Sequence, residues 1–179
     1  RVSLVLEAEK GEPISLDTLR RDAERTPKRY LPMLAETLIR RDSWAEAAAA
    51  YERYLNLLDP VERALYEDVS ILMTDEAYQE LRITRDRIER QRLIRRFWVL
   101  ADPTPTTPIN ERRVEHYRRV YHARSNFAPA DRPSQIRPYD RRGEIYVRFG
   151  HPDHQSWSNH VVFETDAAVV AVKSRLNTK

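Results

Sequence analysis

Two histidines and an aspartate stand close together near residue 150, in the run His151-Pro152-Asp153-His154, and His160 follows soon after. Two imidazoles and a carboxylate can hold a zinc ion with one open position, as in metal-dependent hydrolases. The spacing matches no standard zinc motif, and the chain has no cysteine that could complete one. We therefore favour a surface turn and predict no resident metal or other cofactor. A metal-dependent hydrolase that uses His151, Asp153 and His154 is kept as an alternative.

Two further histidines, His116 and His122, lie in a segment with helical periodicity. Six residues of helix separate two side chains by about 120° at 100° per residue, so the two imidazoles cannot easily share a ligand. We expect them to be partly buried or surface histidines. The chain also lacks a glycine-rich phosphate loop, because its only glycines are Gly11, Gly143 and Gly150.

A run of arginines is the sharpest charge feature of the chain. It comprises Arg82, Arg85, Arg87, Arg90, Arg92, Arg95 and Arg96. Nucleic-acid binding would require such a face with interleaved aromatic side chains, but the nearest aromatics, Phe97 and Trp98, are predicted to lie in the core. We favour a solvated or internally paired face, and we name Arg85, Arg92, Arg95 and Arg96 as candidate partner-binding residues. Nucleic-acid binding through the basic 82–148 region is the second alternative.

Charge is unevenly distributed along the 179 residues, whose net charge is +3. Residues 1–81 hold 11 basic and 17 acidic side chains, whereas residues 82–148 hold 17 basic and 8 acidic ones. The basic part can bind an acidic partner, or it can pack on the acidic part of its own chain. No apolar run approaches the roughly 20 residues of a membrane-spanning helix.

The first 60 residues predict a helical region. Apolar residues recur at helical spacing after Thr26-Pro27, and Ser43-Trp44-Ala45-Glu46 has the form of a capping box. The two helices that these signals predict resemble one tetratricopeptide repeat, with generic helical-hairpin packing as the alternative. The positions that carry this resemblance are Leu31, Leu34, Ala35, Leu38, Ala47, Tyr51 and Tyr54. Tyr51 and Tyr54 are added to the candidate partner-binding residues.

Further helices are predicted over residues 61–73, 74–83 and 85–100, followed by a rigid connector. Thr107 is the predicted N-cap of the next helix, which runs to about Phe127. Asp102 is expected to hold the Pro/Thr turn, while Asn110 and Glu111 are expected in the first helical turn. The residues predicted to have structural roles in this joint are Phe97, Trp98, Asp102, Pro103, Pro105, Asn110 and Glu111.

The periodicity then changes from that of a helix to that of a strand. Ile145, Val147 and Phe149 alternate with polar or amphipathic residues, which predicts a half-buried strand after an irregular loop over 128–142. Residues 161–165 are a second strand candidate, and 167–172 fit either a strand or a helix. We therefore expect an α+β fold that is predominantly α-helical, with a small β element at its end.

Several blocks in order resemble the GWxTD-domain proteins of bacteria over roughly residues 62–153. They include Phe97-Trp98, Asp102-Pro103-Thr104-Pro105, Asn110-Glu111, Tyr117-Arg118-Arg119-Val120 and the run from Gly143 to Asp153, which contains Gly150. The naming motif is replaced by Arg137-Pro138-Tyr139-Asp140-Arg141-Arg142, so the resemblance is to a divergent member. It implies structural roles for Gly143, Gly150 and Asp153.

The resemblance implies a two-part chain and a compartment. A tetratricopeptide-like region over 1–60 would precede a GWxTD-like domain over 61–179 that is incomplete at its C-terminus. Members are often exported and envelope-associated without an established chemistry. We therefore predict a non-enzymatic scaffold or accessory subunit of an envelope assembly, periplasmic or membrane-associated, that binds an acidic protein surface. A cytoplasmic location stays open, and nucleic acid is the less favoured partner.

Overall fold

In the computed structural model the described residues are 15–128, 138–152, and 167, 170 and 171. The chain divides into two compact units, residues 1–148 and 149–179. Eight α-helices have bounds within the described residues: α1 (Leu16–Arg25), α2 (Pro27–Ile39), α3 (Trp44–Leu55), α4 (Pro60–Glu67), α5 (Asp75–Ile83), α6 (Arg87–Leu100), α7 (Glu111–Asn126) and α8 (Arg141–Phe149). A short 3-10 helix, Ser70–Leu72, lies between α4 and α5. None of these helices is both long and apolar enough to cross a membrane.

Polar side chains fix several of the helix starts. The side chains of Ser15, Asp59, Thr74 and Asp86 accept hydrogen bonds from the first-turn N–H groups of α1, α4, α5 and α6. Each satisfies a donor that has no partner within its own helix. The local sequence therefore determines where these helices begin, as it predicted for α4 and α5.

The main core joins the front helices to α7. Both α1 and α3 pack on α2, and α7 packs on α2, α3 and α4. All seven residues of the tetratricopeptide-like pattern are buried in this cluster. The cluster continues into α4, α7 and α8 through Tyr66, Tyr117 and Val147. Helices on both sides of residue 60 thus share one core.

A second, smaller core holds α6 in place. Trp98 is buried with Val69, Met73 and Leu81, and Phe97 packs against this cluster while partly exposed. In this cluster, α6 packs on residues of α5 and of the segment that precedes it.

The predicted strand at 144–149 is wrong, because these residues form most of α8. The helix buries Gly143, Tyr146 and Val147, which have i, i+3, i+4 spacing, and leaves Ile145 and Phe149 exposed. The oxygen Oδ1 of Asp140 accepts from the N–H groups of Arg142 and Gly143 at 2.9 and 3.3 Å. This N-terminal capping outweighs the alternation of β-branched residues.

The described part of the chain therefore contains helices and no strands, and the small β element is not present there. The strand candidate at 161–165 lies outside the described residues. Within the ambiguous segment 167–172, residues 167, 170 and 171 are helical. Gly150, the residue after α8, has a φ of 89°, a left-handed conformation that glycine adopts without steric cost.

Two other helix boundaries and one helix cap differ from the sequence prediction. The segment 61–73 is interrupted after Glu67 and continues only as the short 3-10 helix. Helix α7 begins at Glu111 with Asn110 as its N-cap, not at Thr107. The hydroxyl of Thr107 instead lies 2.8 Å from the carbonyl oxygen of Ile109. Helix α3 begins after Ser43 as predicted, but the Ser43 side chain makes no capping hydrogen bond.

Candidate functional site

The joint between α6 and α7 is built on Asn110. Its side-chain oxygen accepts from the Arg113 N–H at 2.9 Å, and its amide nitrogen donates to the Trp98 carbonyl oxygen at 2.6 Å. One side chain thus caps the start of α7 and binds the last turns of α6. Asp102 accepts from the Thr104 N–H at 2.9 Å, which confirms its predicted role in the Pro/Thr turn.

Behind this joint lies a contiguous set of buried rings. Trp98 packs on His116 with ring centroids 5.5 Å apart, and His116 packs on Tyr117 at 6.1 Å. Tyr117 in turn contacts Tyr51 and Tyr66. Through these ring contacts, α6 packs against the main core.

His116 is fully buried, contrary to the expectation of a partly buried or surface histidine. Its Nε2 lies 3.0 Å from the Tyr66 carbonyl oxygen, so Nε2 carries the proton and donates. Nδ1 is buried with no hydrogen-bond partner among the described residues. Burial lowers the pKa of His116 to about 4, so the ring is neutral at physiological pH. His122 is separate from it and stacks on Tyr146 at 4.2 Å.

The tyrosines of this region are core residues. Tyr51 and Tyr54 are 1% and 4% exposed, so neither offers a surface to a partner, and we remove both from the candidate binding residues. Burial raises the pKa of Tyr51 and of Tyr66 well above the ordinary value, which keeps both hydroxyls protonated at neutral pH. They fill the space between α3, α4 and α7.

An ion-pair cluster on α7 is also structural. Glu115 accepts from Arg118 at 2.6 Å and from Arg119 at 2.7 Å, and Arg118 reaches Glu36 of α2 at 3.5 Å. Burial raises the pKa of Glu115, but the two guanidinium groups outweigh this effect and hold its pKa below the ordinary value. Part of the basic middle of the chain therefore packs on its own acidic front.

Helix α6 has an exposed side that is not paired in this way. Helical geometry brings Ile88, Arg92, Arg95, Arg96 and Val99 within about 100° of arc, and we call this surface the α6 face. Ile88 and Val99 are 64% and 66% exposed. Arg92 is paired with Glu89 at 3.2 Å, whereas Arg95 and Arg96 have no ion pair or hydrogen bond within the described part of the chain.

The α6 face therefore combines three residues of the sequence prediction with two that it missed. Arg92, Arg95 and Arg96 are exposed as predicted, and Arg85 is exposed in the segment just before α6. The sequence reasoning overlooked Ile88 and Val99. Their eleven-residue separation, with arginines between them at helical spacing, was the signal that could have identified them.

A cleft of about 420 Å³ lies among the front helices. Leu34, Leu38 and Ala50 line it together with charged side chains of α1 and α3. Two ion pairs join those two helices: Arg20 with Glu46 at 2.7 Å and Arg53 with Glu24 at 2.9 Å.

The remaining predicted residues form no metal site in the described chain. His151 is exposed and its Nδ1 lies 2.8 Å from the Pro152 carbonyl oxygen. Asp153, His154 and His160 lie outside the described residues. Across residues 15–128 and 138–152, no three His, Cys, Asp or Glu side chains are grouped so that they could hold a metal ion. Pro103 and Pro105 are exposed in the connector, and Gly143 lies against Tyr139.

Comparison with known proteins adds no family: no protein-family model, curated protein or solved structure matches this chain. The resemblances to GWxTD-domain proteins and to a tetratricopeptide repeat therefore stay predictions that depend on the residues quoted for them.

Proposed function

We propose that this protein is a non-enzymatic interaction protein, a scaffold or accessory subunit that docks on an acidic protein surface through its α6 face. The observation that carries the proposal is a pair of exposed arginines, Arg95 and Arg96, which have no ion pair within the described residues and lie beside two exposed aliphatic side chains. Exposed apolar residues rimmed by polar ones are typical of protein interaction sites.

Arginine gives this surface its preference for an acidic partner. A guanidinium binds a carboxylate through two parallel hydrogen bonds and stays charged at every physiological pH. Ile88 and Val99 would lose their exposed apolar area on docking, which supplies affinity that charge alone does not. The α6 face also contains no aromatic side chain on which a base could stack, which favours a protein over a nucleic acid.

The assembly and the compartment are part of the same proposal. The resemblance to GWxTD-domain proteins supports a bacterial envelope assembly, periplasmic or membrane-associated. The cleft between α1 and α3 supports a second contact, since its apolar floor and charged rim suit a helix or an extended segment of a partner.

The test is recovery of the partner by two matched charge-reversed proteins. The full chain is isolated from its native host in mild detergent, with and without nuclease treatment, and co-purified proteins are quantified by mass spectrometry. Arg95→Glu/Arg96→Glu is compared with Arg25→Glu/Arg29→Glu, which changes the net charge equally at exposed arginines of α1 and α2.

We expect the α6 double variant to lose at least about 10-fold of the recovered partner, because like charges then face each other. The control should recover it as the unchanged protein does. Equal recovery by both variants would contradict docking through α6. Co-purification of nucleic acid that disappears with nuclease, with no protein retained, would support the nucleic-acid alternative.

A further inference from the structure

A second cleft, of about 710 Å³, lies between the α2–α3 turn and the connector that precedes α7. Residues 42–46 form one wall and residues of the 103–111 segment form the other. It shares no residue with the α6 face, so binding at the two surfaces can be tested separately. We call it the connector cleft.

Among the described residues, the lining of the connector cleft includes three carboxylates and no lysine or arginine. Glu46 is paired with Arg20 at 2.7 Å. Asp42 accepts from the neutral indole N–H of Trp44 at 2.6 Å, and Glu111 lies 3.2 Å from the Thr107 hydroxyl. Within the described chain, therefore, neither Asp42 nor Glu111 has a cationic partner.

Glu111 has an unsatisfied acceptor. Its Oε2 is buried and no described donor reaches it. A buried carboxylate oxygen without a donor is costly, and it is rare in folded proteins. The N-termini of α3 and α7 offset part of the negative charge, but each supplies only about half an elementary charge against two carboxylates that have no cationic partner in the described chain.

The other side chains of the cleft suit a long cationic side chain. Trp44 is partly buried and presents one of its walls, and Pro103, Pro108 and Ile109 add apolar surface. A guanidinium stacks on an indole ring, while its aliphatic stem packs on apolar neighbours. Carboxylates beside an aromatic ring provide both interactions that a guanidinium makes.

From these observations we propose that the connector cleft binds an arginine side chain presented by a partner protein, with Trp44 as the stacking surface and Asp42 and Glu111 as the acceptors. This site has the opposite charge preference to the α6 face. It would allow the chain to contact a basic segment of one protein while α6 contacts an acidic surface.

The test uses the indole N–H resonances of the full chain, which has three tryptophans. The signal of Trp44 is assigned with Trp44→Phe. The probe is an acetylated and amidated Gly-Arg-Gly peptide. The matched control peptide contains citrulline, which has nearly the shape of arginine but no charge. We expect the arginine peptide to shift the Trp44 signal when the peptide is titrated to about 10 mM, a concentration range suited to weak binding. The Trp98 signal should stay in place, and citrulline should cause no shift.

Glu111→Gln should weaken arginine binding at least about 5-fold, because it replaces a charge-assisted hydrogen bond by a neutral one. Glu52→Gln is its control, since Glu52 is exposed on α3 and does not line the cleft. Far-UV circular dichroism checks that both variants are folded. Absence of a Trp44 shift, equal shifts with citrulline, or equal losses in the two variants would each overturn the proposal. None of these outcomes depends on the α6 face.

Discussion

His116 is the residue whose burial has the clearest consequence for stability. Its ordinary pKa is 6.5, and burial lowers it to about 4 in the folded protein. Between these values the unfolded chain binds a proton that the folded chain does not. His116 therefore does not reduce the free energy of unfolding above about pH 6.5. As the pH falls from there toward 4, the free energy of unfolding decreases.

We expect protonation linked to this one histidine to lower the free energy of unfolding by up to about 3 kcal/mol across that range. Urea unfolding between pH 7 and pH 4.5 measures it. His116→Gln should be less stable at pH 7 but should lose less stability on acidification, because glutamine does not titrate. His151→Gln, at an exposed histidine, should keep the slope of the unchanged protein. If His116→Gln has that same slope, His116 is not the responsible group.

Two ion-paired glutamates, Glu62 and Glu115, do not interfere with this measurement. The pKa of Glu62 is lowered by its hydrogen bonds to Arg124 and Lys28, and that of Glu115 is also below its ordinary value. Both therefore lose most of their contribution below about pH 4.5, which is below the pH 7 to 4.5 range of the measurement.

At the scale of elements, the α6–α7 joint depends on one side chain with two hydrogen bonds. Asn110→Ala removes the cap of α7 and the bond to the Trp98 carbonyl together, and we expect a loss of about 2–3 kcal/mol. Asn110→Ser keeps an acceptor for the cap but is too short to reach that carbonyl, so it should cost about 1 kcal/mol. Thermal or urea unfolding distinguishes the two. Equal costs for both variants would contradict the double role of Asn110.

Helix α8 illustrates how an element can disagree with its own sequence pattern. Residues 144–149 alternate as a strand would, and four of the six have β-branched or aromatic side chains. The core accepts only one side of the helix, Tyr146 and Val147, while the predicted inward residues Ile145 and Phe149 are exposed. Asp140 at the start of the helix was the local signal that favoured a helix. The periodicity of residues 144–149 alone could not show that this cap outweighs their strand-like alternation.

At the scale of the whole molecule, the first compact unit holds both buried clusters. We expect a chain ending at residue 152, which keeps all of α8, to unfold cooperatively in urea with the helical content of its described segments. A chain ending at residue 128 should be less stable by about 3 kcal/mol or more, because the core then loses Tyr139 and Val147. Circular dichroism with urea measures both. Equal stability of the two chains, or dye binding typical of a molten globule in the longer one, would contradict this expectation.

The arginines of the basic middle of the chain fall into two groups that differ in whether they pair with the acidic front. Arg118 and Arg124 of the basic middle pair with Glu36 and Glu62 of the acidic front. Arg95 and Arg96 of α6 make no such pair within the described chain. The sequence allowed either packing on itself or binding a partner. The structure pairs Arg118 and Arg124 within the chain, and Arg95 and Arg96 are the arginines on which the proposed docking depends.

The sequence by itself determined most of the helices and several of their starts. Caps such as Asp59, Thr74 and Asp86 and the helical spacing of Leu31, Leu34 and Leu38 act through neighbours within a few residues, so they can be recognised without the fold. Only the tertiary structure decided which side of α8 is buried, that Tyr51, Tyr54 and His116 lie in the core, and that Trp44 and Glu111 line one cleft. These outcomes depend on packing between residues far apart in the chain, and no local pattern encodes that packing.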